Sequence, residues 1–322
     1  MQQIIISEKE SNQRLDQILH HRFKKFSRNE IQKKIETGDF VKVNGKNKKS
    51  SYKTSVGDII EINIDNLIKN KKEAKAEEIP IEVLYENNDL AVINKPAGIV
   101  VHPGVKNEKH TLVNALLSKY PEISSARHDN TEISKLRPGI VHRLDKDTSG
   151  VIIVAKNKKT LEYLVGQIKQ RKVGKKYQAV VFGWTPESGN LVSRISRDKK
   201  NRTKMAEGIS GKTAITHYSA EKYFCLPKTK EKITLLNLEI KTGRTHQIRL
   251  QLKNLGHPVL GDKVYKIKES YLLSRNCKVK RQLLHAKSIE FKSPDEKVIK
   301  VLSSMPKDFI ALISSLDEIK QL

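Results

Sequence analysis

Between Arg137 and Asn157 the chain reads RPGIVHRLDKDTSGVIIVAKN, with Asp145 and Asp147 two residues apart and an apolar run immediately after. Two carboxylates at that spacing suit a cation-binding loop, a hydrolase with paired acids, or a reaction that needs one ionised Asp. A calcium loop that opens Asp-x-Asp-x-Ser-Gly ends on a bidentate Glu, and Lys156 stands at that place. A kinase loop needs the order His-Arg-Asp behind a glycine-rich loop, whereas this chain has His-Arg-Leu-Asp and no such loop. The stretch AEGISGKT, residues 206–213, lacks the first glycine of a phosphate loop and continues as a strand pattern. Glycosidase acids flank a bond from two sides, which carboxylates this close in sequence do not do obviously. There remains a single Asp145 presented on a turn, with Arg143 before it and Thr148, Ser149 and Gly150 beyond. Backbone N–H groups of the turn can fix such a carboxylate, and burial would require a cationic partner.

Charge narrows the class of partner. Sixty-two Lys and Arg against 36 Asp and Glu leave a net charge of +26, which favours polyanions. Compositional drift toward Lys, Asn and Ile would be roughly neutral on net charge, so the excess points to nucleic acid. Two cysteines, Cys225 and Cys277, lie far apart and offer neither metal spacing nor a disulfide framework, as expected in a reducing cytosol. No apolar run approaches the length of a membrane span, and MQQIIISEKE lacks a signal-peptide layout. The expectation is a soluble cytoplasmic protein without a metal or small-molecule cofactor.

The elements that must carry Asp145 follow from periodicity. GVIIVAKN reads as a buried strand behind the turn, and IEVLYENNDLAVINK as two strands around Asn87-Asn88-Asp89. TLVNALLSKYP reads as a short helix stopped by Pro121, and TLEYLVGQIKQRKV as a helix with a basic tail. KKYQAVVFGW, TAITHYSAEKYF and KITLLNLEIKTG read as strands, THQIRLQLKNLG as a helix, and DFIALISSLDEI as a terminal helix. Strands outnumber helices without regular βα alternation, so the fold class is α+β with a mixed, largely antiparallel sheet. Residues 66–78 are charged, lack aromatics and read as a linker between a unit at 1–65 and a larger unit at 79–322. In the first unit, Ser27 and Glu30 have capping-box spacing, Gly38 stops the helix, and Asn44-Gly45 signals a hairpin. Arg14, Arg28, Lys33 and Lys42 belong to its dense basic set, a phosphate-accepting surface. The basic run Arg194–Lys204, with Arg202, reads either as a solvated loop or as one that grips a polyanion, the second being favoured if the substrate is a polyanion.

The segment RLDQIL…FSRNEIQKKIETGDFVKVNGK…VGDII resembles the S-four RNA-binding domain, named after a small-subunit ribosomal protein. HRLDKDTSG resembles the signature of the RluA/RluD group of pseudouridine synthases. KKYQAVVFG, LEIKTGRTHQIRLQLKNLGHPVLGD and RQLLHAKSIEF are similar to that group's other motifs. NKPAGIVVHPG and TLVNALL further resemble the RluD-like subgroup that modifies large-subunit ribosomal RNA, and the likeness covers essentially the whole chain. It implies an isomerase that turns uridine into pseudouridine, with ribosomal RNA as partner and no cofactor. By the same resemblance Asp145 is the essential carboxylate, attacking base or sugar or removing a sugar proton. Arg249 is the arginine that pairs with it, and Tyr177 the tyrosine that packs on the target base. Arg143 fills the space left when the base flips out. Lys95 either contacts phosphate or precedes a turn. Gln251, where relatives often carry His, puts fine substrate recognition in doubt. A monomer is the default expectation. The rival reading is a non-catalytic RNA-binding factor of ribosome assembly with the same fold.

Overall fold

A computed structural model of the chain describes residues 2–24, 26–38, 40–63, 73–104, 107–129, 132–198, 200–201 and 203–319. The chain divides into two compact units, Met1–Lys75 with Arg127–Pro138, and Ala76–Ala126 with Gly139–Leu322.

In the smaller unit, strands β1 (Gln2–Ile5), β2 (Val41–Val43) and β3 (Ile59–Ile62) form an antiparallel sheet in the order β1-β3-β2. Helices Leu15–Arg22 and Arg28–Glu36 pack beside each other, and Leu15, Leu19, Ile31 and Ile35 join Val43 and Ile60 in one core. The second helix starts on the expected capping box. The Ser27 N–H donates to the Glu30 carboxylate at 2.6 Å, and the Glu30 N–H to Ser27 Oγ at 3.4 Å. Asn44 and Gly45 take φ of 51° and 72°, as a tight I′-type turn requires. That turn closes on a single bridge, Val43 to Lys46, and the main partner of β2 is the later strand β3. An Asn-Gly pair specifies a turn but not the length of ladder that follows it.

The larger unit is built on β4 (Glu82–Glu86), β5 (Leu90–Lys95), β6 (Ser149–Ala155), β7 (Gly174–Phe182), β8 (Ser188–Arg197), β9 (Met205–Glu207), β10 (Lys212–Cys225), β11 (Lys232–Ile240), β12 (Leu284–Lys292), β13 (Val298–Leu302) and β14 (Asp317–Ile319). They form one sheet in the order β4-β5-β6-β12-β7-β11-β10-β8-β9, with β13 on β12 and β14 on β10. The pairing of β6 with β12 is parallel and every other described ladder of this sheet is antiparallel. All seven residues of β6 are buried, which is why its sequence is a continuous apolar run instead of an alternation. Helices Leu112–Lys119, Lys158–Lys169 and Gln247–Asn254 lie where the periodicity places them.

Two local expectations differ from the structure. The terminal helix ends at Ile313, and Asp317–Ile319 turns back as an edge strand against Tyr223–Cys225. The basic run from Arg194 is partly strand, because β8 continues to Arg197 and pairs with Met205–Glu207. Its charges mask a strand whose exposure alternates along the chain.

Candidate active site

Asp145 sits at the start of a turn held by its main chain. The Thr148 N–H donates to the Asp145 carbonyl at 3.2 Å. The Lys146 carbonyl accepts from Lys95 Nζ and from the Gly98 N–H, each at 3.0 Å, and the Asp147 carbonyl accepts from Arg281 Nη1 at 3.0 Å. Each carbonyl of the turn from Asp145 to Asp147 therefore has a donor. Lys95 has no exposed surface, and its ammonium also donates to the carbonyls of Pro96 and Ile99, so it ties two loops together and leaves phosphate out of reach. Behind the turn, Gly150 has φ 110°, and a Cβ there would lie 2.2 Å from the Ala286 carbonyl oxygen. Only glycine lets β6 approach β12 this closely.

The side chain of Asp145 is reached from far along the sequence. Arg249 Nη1 donates to Asp145 Oδ2 at 2.8 Å, with 16% of the Asp145 side chain and 5% of the Arg249 side chain exposed. Holding comes from this guanidinium; the turn N–H of Thr148 goes instead to the main-chain carbonyl. Arg249 Nε and Nη2 donate to Asp262 at 2.6 and 3.0 Å, and Asp262 Oδ1 also accepts the N–H groups of Val264 and Tyr265. Burial opposes the charge of Arg249, but the bonds to Asp262 and then the charge of Asp145 outweigh it and raise its pKa. One cation thus faces two carboxylates, one sealed and one opening on the cleft.

Arg249 is aimed by its helix. Residues Gln247–Leu252 are all buried, and the helix begins at His246 with φ 55° and no side-chain cap. Gln247 replaces the cap. Its Oε1 accepts from Thr242 Oγ1 at 2.8 Å and from the Arg244 N–H at 3.0 Å, while its Nε2 donates to the Ile215 carbonyl at 3.0 Å. Gln251 binds Thr216, Ser193 and the carbonyls of Leu191 and Ala214, so it fastens the helix to β8 and β10. Its departure from the usual His is accommodated within the core.

Asp145, Arg249, Tyr177 and Arg143 line one cleft, together with His246 and Leu284. Tyr177, on β7, is buried, and burial followed by the charge of Asp145 raises its phenol, which stays protonated at neutral pH. His246 Nε2 stands 3.9 Å from Asp145 Oδ2, and its Nδ1 is 3.0 Å from the Tyr265 hydroxyl. Burial lowers the His246 imidazole, with Asp145 opposing, so its neutral form is favoured. His142 is a structural histidine: its Nε2 accepts the Ile153 N–H at 3.0 Å, and burial, then Lys175, push it down to about 3. Arg143 is exposed at the mouth of the cleft. Asp262, Gln247 and Arg281 are supporting residues that sequence reasoning left without a role, and Lys95, read there as a phosphate contact or a residue before a turn, is a fourth. Asp262 and Gln247 had a usable signal, since both stand in the same stretch as Arg249.

In the smaller unit, Arg14 and Arg28 both bind Asp16, whose side chain has no exposure, at 3.0 and 3.1 Å. Gln32 donates to the same carboxylate. Burial opposes the Asp16 charge, but the Arg14, Arg28 and Gln32 hydrogen bonds hold its carboxyl well below the usual range. Lys33 and Lys42 are exposed. Arg202 lies outside the described residues. Among the described residues no group of three or more His, Cys, Asp or Glu could hold a metal ion, and no helix is long and apolar enough to cross a membrane.

A family model described as RNA pseudouridylate synthase matches residues 89–254. Ribosomal large subunit pseudouridine synthase D of Xanthomonas campestris is 34% identical over 326 aligned positions, covering 99% of this chain and 93% of the relative. The protein of that name from Buchnera aphidicola is 39% identical, covering 95% of this chain and 93% of its own. The solved structure of human RNA pseudouridylate synthase domain containing 1 superposes with a TM-score of 0.59 at 23% identity, over 77% of this chain and 92% of that one, which shows a shared fold.

Proposed function

The chain belongs to the RNA pseudouridylate synthase family, and from that premise we propose that it isomerises uridines of large-subunit ribosomal RNA to pseudouridine. The reaction breaks the bond between ribose C1′ and ring N1 and joins C1′ to ring C5. C5 gives up its proton and N1 gains one, so the product has the atoms of the substrate. Nothing is oxidised or reduced.

The observation that carries this reading is the Asp145–Arg249 pair at 2.8 Å, placed in one cleft with Tyr177 and Arg143. Whether the carboxylate first meets ring, sugar carbon or sugar proton, the buried guanidinium of Arg249 fixes where it stands in the cleft. Tyr177 offers a ring on which an extruded uracil can stack. Its protonated phenol can donate a hydrogen bond but is a poor base. Arg143, exposed at the mouth of the cleft, would occupy the gap that extrusion leaves in the RNA.

RNA is engaged by cations of both units. Residues 1–65 act as an S-four-like binding domain, residues 66–78 as a linker, and residues 79–322 as the catalytic domain. Lys33 and Lys42 supply exposed charge for phosphates. Arg14 and Arg28 keep donors beyond those that Asp16 takes, so a buried acid presents two guanidinium groups in fixed orientation. Arg202 contributes from the basic run. The test is tritium release from ribosomal RNA labelled at uridine C5, since that hydrogen leaves in every turnover. Release by the wild type and none by Asp145→Asn supports the reading; equal traces from both would reject it.

A further inference from the structure

Next to the catalytic cleft lies a second cleft that the chemistry above does not use. It spans about 1150 Å³ including its open mouth, and Arg143, Tyr177, Ile240, Gly243 and Arg244 line both. Six cationic side chains face it, Arg143, Lys169, Arg171, Lys175, Lys241 and Arg244, and no Asp or Glu is among its described lining residues. Lys241 is paired with Glu239, and Arg244 Nε donates to the Thr213 carbonyl at 3.1 Å. The side chains of Arg143, Lys169, Arg171 and Lys175 make no hydrogen bond or ion pair among the described residues.

Lys175 is the unusual member. It stands on β7 two residues before Tyr177, so both side chains leave the same face of the strand. A Cβ added at Gly243 would lie 3.8 Å from Lys175 Nζ, which places the ammonium beside the loop shared by the two clefts. It is half-buried, and that burial lowers its pKa with no acid nearby to offset it. A partly desolvated ammonium without a counterion destabilises a fold, so its retention calls for an anion that arrives later.

We propose that this cleft is a phosphodiester subsite, in which Lys175, flanked by Arg171 and Arg143, takes a backbone phosphate of the RNA strand next to the extruded nucleotide. The proposal rests on the reading of the chain as an RNA-modifying enzyme and adds where the strand runs as it leaves the catalytic cleft. A phosphate there would fix the strand beside Tyr177 and hold the target sugar over Asp145.

The test compares Lys175→Met, Lys175→Arg and Lys176→Met in the full chain. Lys176 is adjacent on β7 but faces the other side, where it lines a depression with His217 and Glu239. Binding of a short fluorescent oligouridylate is followed against salt, and tritium release is measured on the same preparations. One lost phosphate contact reduces the log–log salt slope by about 0.7 for a single strand. The expected result is that loss in Lys175→Met, no loss in Lys175→Arg or Lys176→Met, and an unfolding temperature for Lys175→Met no lower than the wild type. An unchanged slope in Lys175→Met, an equal loss in Lys176→Met, or a lowered unfolding temperature would overturn the subsite. If the wild type releases tritium while Lys175→Met keeps its slope, the subsite fails and the activity stands. If the slope loss is confined to Lys175 but no tritium is released, the activity fails and the phosphate site stands.

Discussion

Asp262 holds two guanidinium nitrogens of Arg249, at 2.6 and 3.0 Å, and leaves Nη1 free to meet Asp145 at 2.8 Å. Asp262 is sealed from solvent while Asp145 opens on the cleft, so the sealed acid orients the cation and the cation positions the reactive one. Without Asp262, Arg249 would be free to swing and to pair with Asp145 in a geometry that blocks it.

Asp262→Asn should therefore lower kcat by roughly tenfold or more, with a small change in RNA affinity. Removing one partner of a buried ion pair is expected to destabilise the fold by about 3–5 kcal/mol. Tritium-release kinetics and urea unfolding of the same variant check both. A variant with full kcat would show that Asp262 does not position Arg249.

Tyr177→Phe keeps the ring and loses the hydroxyl. Binding should stay within about twofold of the wild type, because stacking on the base survives. Tyr177→Ala should lose about 1–3 kcal/mol of binding, the worth of one base–aromatic stack. Since the phenol stays protonated at neutral pH, the wild-type rate should show no limb from Tyr177 between about pH 6 and 9. Fluorescence binding and a pH–rate profile test these points.

Lys95 gives a pH signature of its own. Burial pushes its ammonium from the ordinary 10.5 down to about 7, with Asp147 opposing. Between those values the unfolded chain binds more protons than the folded one, so stability contributed at this site rises with pH across that window. It is lost again as pH falls toward 7. The difference in unfolding free energy between wild type and Lys95→Met should therefore shift in favour of the wild type by up to about 1.4 kcal/mol per pH unit above pH 7. Denaturant melts of both at about pH 7 and 9 measure it; a constant difference would show that Lys95 keeps its proton.

Much of this site is legible in the amino-acid sequence, and the reasons are local. Asp145 stands in a dense motif, and Arg249 and Tyr177 belong to further motifs on a helix and a strand whose periodicity is clear. The family those motifs suggest is the one to which the chain belongs. What the sequence hides depends on distant pairs. Lys95 is equally suited to phosphate until its three carbonyl partners are placed around it, two of them within four residues and the third 51 residues away. Asp262 stands in the same stretch as Arg249, but its role exists only once the helix Gln247–Asn254 turns Arg249 toward it. The strand β8 is hidden by charge: a ladder that alternates between half-buried and exposed positions carries few apolar residues to betray it.

The two arginines of the smaller unit should separate from its lysines in a stability assay. Arg28→Met leaves the buried Asp16 with one fewer donor and should cost about 1–3 kcal/mol, whereas Lys33→Met should cost little. RNA binding should weaken in both. Thermal unfolding beside salt-dependent binding distinguishes the outcomes, and equal stability of the two variants would refute the supporting role given to Asp16.

The central claim is that Asp145, held in place by Arg249, performs isomerisation on uridine. It is tested most directly by tritium release from C5-labelled large-subunit ribosomal RNA with the wild type, Asp145→Asn and Arg249→Met. The account predicts release with the wild type, none with Asp145→Asn at unchanged RNA affinity, and a kcat reduced at least about a hundredfold with Arg249→Met. Release by Asp145→Asn at the wild-type rate would contradict it.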